Sequence, residues 1–275
     1  MSELPFAATT PISVARVGLK AREADKLADF YRSVVGLQEL SRDGETITLG
    51  SPGRPLLVLE RDAAAKPDDP RAAGLFHTAF LLPSRADLGR WINHAIADRI
   101  QIDGASDHIV SEALYLTDPE GNGIEIYADR PHEGWAWENG MVKMATARMD
   151  IPGVVGSVPE GDAPWQGMPE NTVVGHVHLR VGDPRAAESF WNEAYGFDTV
   201  ARYGTQAAFM SSGGYHHHIA GNTWQSPGAG RRDPSRSGLS WVELRSSQAS
   251  AASEKQDPWG TLIRLVPDKA VATAA

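Results

Sequence analysis

Apolar and polar positions alternate through ISVARVGLKA (12–21), the period of a half-buried strand. The spacing then becomes helical in READKLADFYRSVVG, where Leu27, Phe30, Tyr31 and Val34 share a face. Gly36 is placed to cap that helix. Three strand-like runs follow: LQELSRD, ETITLGS and PLLVLER. After the loop DAAAKPDDPRAAG the same βαβββ order returns as LFHTAFLLPS, the helix ADLGRWINHAIADR, and the strands IQIDGAS, EALYLTD and GIEIYADR. A stretch rich in Gly and Pro, 131–171, reads as a linker. Beyond it, GHVHLRVGDPRAAESFWNEAYGFDTV repeats the opening of the first unit, and VARYG, AAFMSS and YHHHIAGNTW supply further strands. A fourth unit starts at GLSWVELRSS, but SSQASAASEKQDPWG leaves too little chain before the closing TLIRLVP for a helix and two strands.

Internal repetition decides the fold expectation. The chain is α+β, built from three full βαβββ modules and a truncated fourth. Along the sequence these modules divide into an N-terminal domain at 9–130 (modules one and two), the linker at 131–171, and a C-terminal domain at 172–270 (module three and the stump). Two such modules can close around a cavity.

Composition narrows the chemistry. With 41% apolar and 22% charged residues the chain reads as globular, and 35 acidic against 26 basic residues, a net charge of −9, argues against nucleic acid as partner. It has no cysteine, so disulfides, thiolate zinc sites and cysteine nucleophiles are excluded, and nine histidines are the strong nitrogen ligands that remain. MSELPFAATTPISVA has neither a basic start nor an apolar run, and no membrane-length apolar stretch occurs, so a cytoplasmic location is expected. FHTAFLL and GHVHLRV carry strand-borne histidines, GNGIEIYADR a strand-borne carboxylate, and GGYHHHIAGNTW three consecutive histidines. Two neutral imidazoles and one carboxylate with open positions form the ligand set of a non-haem Fe(II) oxygenase.

The order of modules, together with GLFHTAFLLP, ALYLTDPEGNGIEIYADRP, GHVHLRV and GGYHHHIAGNTW, resembles the vicinal oxygen chelate superfamily of glyoxalases, bleomycin resistance proteins and extradiol dioxygenases. Within it the chain resembles two-domain bacterial catechol 2,3-dioxygenases. The resemblance implies that paired modules place metal ligands on their first and last strands. Those slots hold Arg16, His77, His176 and Trp241 on the first strands of the four modules, and Glu125 and Arg264 on the last strands of modules two and four. Pairing module two with module three assembles His77, Glu125 and His176. Pairing module one with module four brings together Arg16, Trp241 and Arg264, and an arginine has no lone pair for a metal. The two–three pairing is therefore expected, within one chain or between two chains of a homo-oligomer.

The resemblance also implies a base at His217, with His216 and His218 on the opposite face of their strand. It puts a tyrosine ten residues before the metal carboxylate, which is Tyr115, and a histidine upstream of it, which is His108. The implied activity is Fe(II)-dependent extradiol cleavage of a catechol or related aromatic diol by O2, giving a muconic semialdehyde, with Mn(II) an alternative metal. The competing readings are a glyoxalase-type isomerase, a resistance transferase, and a non-catalytic binding module.

Each residue also has a plainer reading. His77 or His176 alone suits a satisfied core histidine, and Glu125 the solvent face of an edge strand. His178 shares a face with His176 and competes with it as ligand. The three consecutive histidines suit a polar edge strand, Tyr115 a packing aromatic, and His108 a solvated loop. Trp135 and Trp137 suit packing over a seam more than substrate contact. Core residues filling their positions independently have no reason to complete one module pairing and leave the other basic.

Overall fold

In the computed structural model, which describes residues 4–268, each sequence module becomes a run of strands with at most one helix. Module one comprises β1 (Ile12–Ala21), α1 (Ala24–Phe30), β2 (Gln38–Asp43), β3 (Thr46–Ser51) and β4 (Arg54–Arg61). The helix runs on through a π-helical turn, Tyr31–Val35, and ends at Gly36 with φ 94°. Module two comprises β5 (Gly74–Leu81), α2 (Arg85–Ala97), β6 (Gly104–Asp107), β7 (Ser111–Thr117) and β8 (Gly123–Asp129). The expected linker holds a two-strand pairing, β9 (Trp137–Glu138) with β10 (Met141–Val142), and a short helix α3 (Ile151–Val155). Module three follows as β11 (Val173–Arg180), α4 (Pro184–Tyr195), β12 (Asp198–Tyr203), β13 (Ala207–Ser211) and β14 (Ile219–Asn222). The stump retains β15 (Gly238–Ser246), β16 (Ser253–Gln256) and β17 (Leu262–Pro267), with no helix between them.

Two large sheets result. One has the order β16-β17-β15-β1-β4-β3-β2, and the other β12-β13-β14-β11-β5-β8-β7-β6. The sequence halves at 9–130 and 172–270 therefore each contribute one module to each sheet: modules one and four form the first, modules two and three the second. The join is an antiparallel pair in both cases, β1 with β15 and β5 with β11. Each first strand also pairs in parallel with its own module's last strand, as β5 does with β8 and β11 with β14.

The helices pack on the sheets through large buried side chains, Leu27 and Tyr31 after β1, Trp91 of α2 and Trp191 of α4, within one apolar core. Burying a side chain of this size contributes about 2–3 kcal/mol each. A second, smaller apolar cluster sits on the eight-stranded sheet and includes Ala79, Tyr127, Trp135, Val173 and Tyr215. Among the described residues no helix is long and apolar enough to cross a membrane.

Candidate metal centre

The seam between modules two and three decides what the second sheet can do. β5 lies between β8 and β11, so three adjacent strands supply His77, Glu125 and His176. In register, Ala79 of β5 stands opposite both His176 and Glu125, and His77 lies two residues back on the same face of β5. Ala79 offers only a methyl group where a longer side chain would fill the space between β8 and β11. The three functional groups meet over it. His77 Nε2 is 2.9 Å from Glu125 Oε2, His176 Nε2 is 3.2 Å from the same oxygen, and the two Nε2 atoms are 3.3 Å apart.

These separations suit a metal. Adjacent ligands each about 2.1 Å from one ion are about 3.0 Å apart in octahedral geometry, so the triangle has the size of one face of an octahedron. All three residues are buried, at 6%, 2% and 2% exposure for His77, Glu125 and His176. Burial drives the His176 imidazole down to about 4, favouring the neutral ring. Burial alone would raise Glu125, but His176 and His77 outweigh it and hold the carboxyl well below its usual range. A neutral imidazole beside a carboxylate is the protonation state that metal ligation requires.

His176 is oriented from behind. Its Nδ1 lies 3.2 Å from the Tyr127 hydroxyl, which lies 2.7 Å from the Tyr215 hydroxyl. Gly175 makes this possible, since a Cβ there would sit 1.8 Å from the Tyr127 oxygen. His178, the competing ligand, is buried nearby but turns its Nε2 to the Asn222 side chain at 2.9 Å. His176, and not His178, belongs to the converging group.

His217 packs its ring against His176 with centroids 4.1 Å apart. Burial, reinforced by the neighbouring His176, His216 and His178, pushes His217 well below the ordinary histidine range. Tyr115 stands directly opposite Glu125 on β7, its ring 5.7 Å from that of His77. Burial, with the Glu125 carboxylate next, raises the Tyr115 phenol well above its usual value. Its hydroxyl donates to His108 Nε2 at 2.6 Å, and His108 Nδ1–H donates to the Ala145 carbonyl at 2.8 Å. His108 is thus half-buried and tied at both ends.

One expectation about the triple histidine is corrected. Alternation along a strand would put His216 and His218 together, away from His217. In the structure β14 begins only at Ile219, after a turn at Gly213 and Gly214 with φ of 66° and 80°. Without strand geometry His216 and His217 lie side by side, Nδ1 to Nδ1 at 2.8 Å, while His218 bonds Thr10, Ser211 and the Ala7 carbonyl. Trp135 is buried against Tyr215 and His216, and Trp137 is 40% exposed. Sequence reasoning missed Tyr127 and Asp129, although period two from Glu125 carries one face of β8 through both.

The other sheet fills the equivalent slots differently. Arg16 forms a two-pronged ion pair with Glu243 at 2.8 and 2.9 Å. The Arg264 guanidinium lies over the Trp241 ring at 4.5 Å, and Trp241 Nε1 donates to Glu60 at 2.6 Å.

Paired βαβββ modules carrying a buried His-Glu-His cluster define a class that the comparisons make explicit. The Glyoxalase/Bleomycin resistance protein/Dioxygenase superfamily matches residues 13–126 and 173–266, and the chain belongs to this superfamily. It is 41% identical to Catechol-2,3-dioxygenase of Bacillus subtilis (strain 168) over 234 residues, 82% of this chain and 80% of the relative. It is 28% identical to Biphenyl-2,3-diol 1,2-dioxygenase 2 of Rhodococcus globerulus over 131 residues, 46% of this chain and 69% of the relative. Among solved structures, glyoxalase I from Zea mays aligns with a TM-score of 0.52 at 13% identity, covering 95% of this chain and 94% of that one. The cppA protein from Streptococcus pneumoniae aligns with a TM-score of 0.55 at 11% identity, covering 92% and 98%. At these identities the structural likeness shows the fold alone.

Proposed function

We propose that the protein is an Fe(II)-dependent extradiol dioxygenase that cleaves a catechol or a related aromatic diol beside its two hydroxyls. The convergence of His77, Glu125 and His176 into a buried triangle of metal-ligand size carries this reading. The 41% identical relative named for catechol cleavage supports it. His77, Glu125 and His176 would hold the ion, with Mn(II) an alternative to Fe(II). When bound, the metal supplies a site where the diol oxygens and O2 meet. A glyoxalase-type site with a second converging carboxylate is not favoured, since the one cluster of this kind among the described residues contains Glu125 as its sole carboxylate.

The chain's own residues then divide the proton handling. A diol must lose protons to chelate, and His217, neutral through burial and packed beside His176, is the acceptor. Tyr115 stays protonated because burial and Glu125 disfavour the phenolate, and with its hydrogen committed to His108 the phenol oxygen is left to accept from a substrate hydroxyl. His108 holds that phenol in place from the far side. The buried aromatic and histidine wall excludes water from the reacting atoms. The test is anaerobic loading of purified protein with Fe(II), then catechol and O2, monitoring the yellow ring-fission product. Product formation strictly dependent on Fe(II) is expected, and loaded protein that yields no product from simple catechols would reject the proposal.

A further inference from the structure

Asp129, at the end of β8, ends two hydrogen-bonded chains that lead in opposite directions to the metal cluster and to His217. We propose that Asp129 and His216 are positioning residues that lock His217 in the tautomer with its proton on Nδ1 and a bare Nε2, and that the same carboxylate orders the ligand His176. The role of His217 as base rests on the dioxygenase reading, whereas the tautomer itself does not.

The argument follows from what each atom can donate. Asp129 Oδ1 lies 3.0 Å from His216 Nε2, and an ionised carboxylate only accepts, so that nitrogen carries a hydrogen. In a neutral His216 the other nitrogen, Nδ1, is then a bare acceptor. It faces His217 Nδ1 at 2.8 Å, so the shared proton belongs to His217 Nδ1. His217 Nε2 is left with its lone pair and has no hydrogen-bond partner among the described residues. The ring itself is held, tilted against His176 with centroids 4.1 Å apart and edge-on to Phe209 at 5.1 Å. The reverse placement would set a bare His216 nitrogen against the carboxylate, two acceptors in contact.

The second chain obeys the same logic. Tyr215 donates to Asp129 Oδ1 across a longer 3.4 Å, which leaves its oxygen to accept from Tyr127 at 2.7 Å. Tyr127 in turn can accept from His176 Nδ1–H at 3.2 Å, and a metal held at His176 Nε2, which otherwise lies 3.2 Å from the Glu125 carboxylate, selects that tautomer. With the metal in place, one carboxylate thus supports two imidazoles, each in the tautomer its place demands. Trp135 and Tyr215 pack on the His216 ring and keep this assembly from rotating, with centroids at 5.1 and 4.1 Å.

The experiment reads tautomers directly. Protein labelled with ¹⁵N-histidine, metal-free and Zn(II)-loaded, is compared with Asp129→Asn, Asp129→Glu and His216→Phe by NMR, because protonated and bare ring nitrogens resonate far apart. Wild-type His217 should show Nδ1–H with bare Nε2. Asp129→Asn, whose amide can donate to His216, should mix or invert both the His217 and His176 tautomers, and Asp129→Glu should restore them in part. His216→Phe, which keeps the ring packing, should release His217 alone and leave His176 unchanged. In Fe(II)-loaded enzyme Asp129→Asn should lower kcat by about tenfold to a hundredfold with KM for catechol little changed. A wild-type His217 protonated at Nε2, or tautomers that stay put in both Asp129→Asn and His216→Phe, would overturn the proposal. Correct tautomers in a protein without ring-fission activity would instead count against the dioxygenase reading alone.

Discussion

The two sheets share one plan and differ in what stands at its centre. Each is a pair of modules joined through antiparallel first strands, β5 with β11 in one and β1 with β15 in the other. In the eight-stranded sheet the slots hold two imidazoles and a carboxylate over the methyl of Ala79. In the seven-stranded sheet the space is taken by the Trp241 indole, braced by Arg264 and by Glu60. Gly18 is part of that filling, since a Cβ there would lie 2.2 Å from Trp241 Cε2. The contrast teaches that strand pairing provides positions, and that the residues placed there decide between a centre for chemistry and an extension of the core.

Substitutions that attack this contrast should differ in size. The largest effect is expected from His176→Ala, which removes one of the three proposed ligands and the link to Tyr127; both iron content and ring-fission turnover should vanish. Iron analysis checks this, and retained iron would reject the ligand assignment. Next, His217→Ala should keep its iron yet turn over about a hundredfold or more slowly, the effect of losing an acid–base group, as a steady-state assay with parallel iron determination will show.

A third effect concerns acid. His176 is depressed to about 4 and His218 to about 3, both through burial first, while an unfolded histidine titrates near 6.5. The unfolded chain therefore binds more protons below that value, and metal-free protein should lose stability steadily from pH 6.5 toward pH 5, before most carboxylates begin to protonate. Urea midpoints across that interval test the sign; a flat profile would show these rings are not held neutral by burial.

Smaller again, Gly18→Ala should cost about 1–3 kcal/mol by pushing Trp241 out of place, lowering the melting temperature while leaving iron content alone. Smallest of all, Arg264→Ala should change neither iron nor turnover measurably, because Arg264 is a partly exposed residue on the filled sheet. Loss of iron in that variant would mean the two sheets are not separable in the way the contrast requires.

Much of this was legible in the chain itself. The alternation in ISVARVGLKA and FHTAFLL and the helical spacing from Leu27 to Val34 reflect burial on one face, which local sequence records directly. The repeat made the strand positions of His77, Glu125 and His176 comparable, and the basic character of Arg16 and Arg264 pointed to which modules pair. His216 was misplaced because the turn at Gly213–Gly214 delays β14, and alternation applies only where a strand exists. Asp129 and Tyr127 were overlooked because their importance lies in partners far along the chain, His216, Tyr215 and His176, which no local pattern reveals. The filling by Trp241 was likewise invisible, since it depends on Gly18 and Glu60 of another module.

The exchange of modules between sheets has a consequence for biosynthesis. Ile12 of β1 finds its neighbour at Ser246, so β1 waits until β15 has been made before its second edge is covered. Until then that edge offers unpaired backbone groups to any passing strand. Contacts this distant in sequence make folding slow, and charged residues within a waiting strand, as Arg16 and Lys20 are in β1, disfavour pairing with a wrong partner.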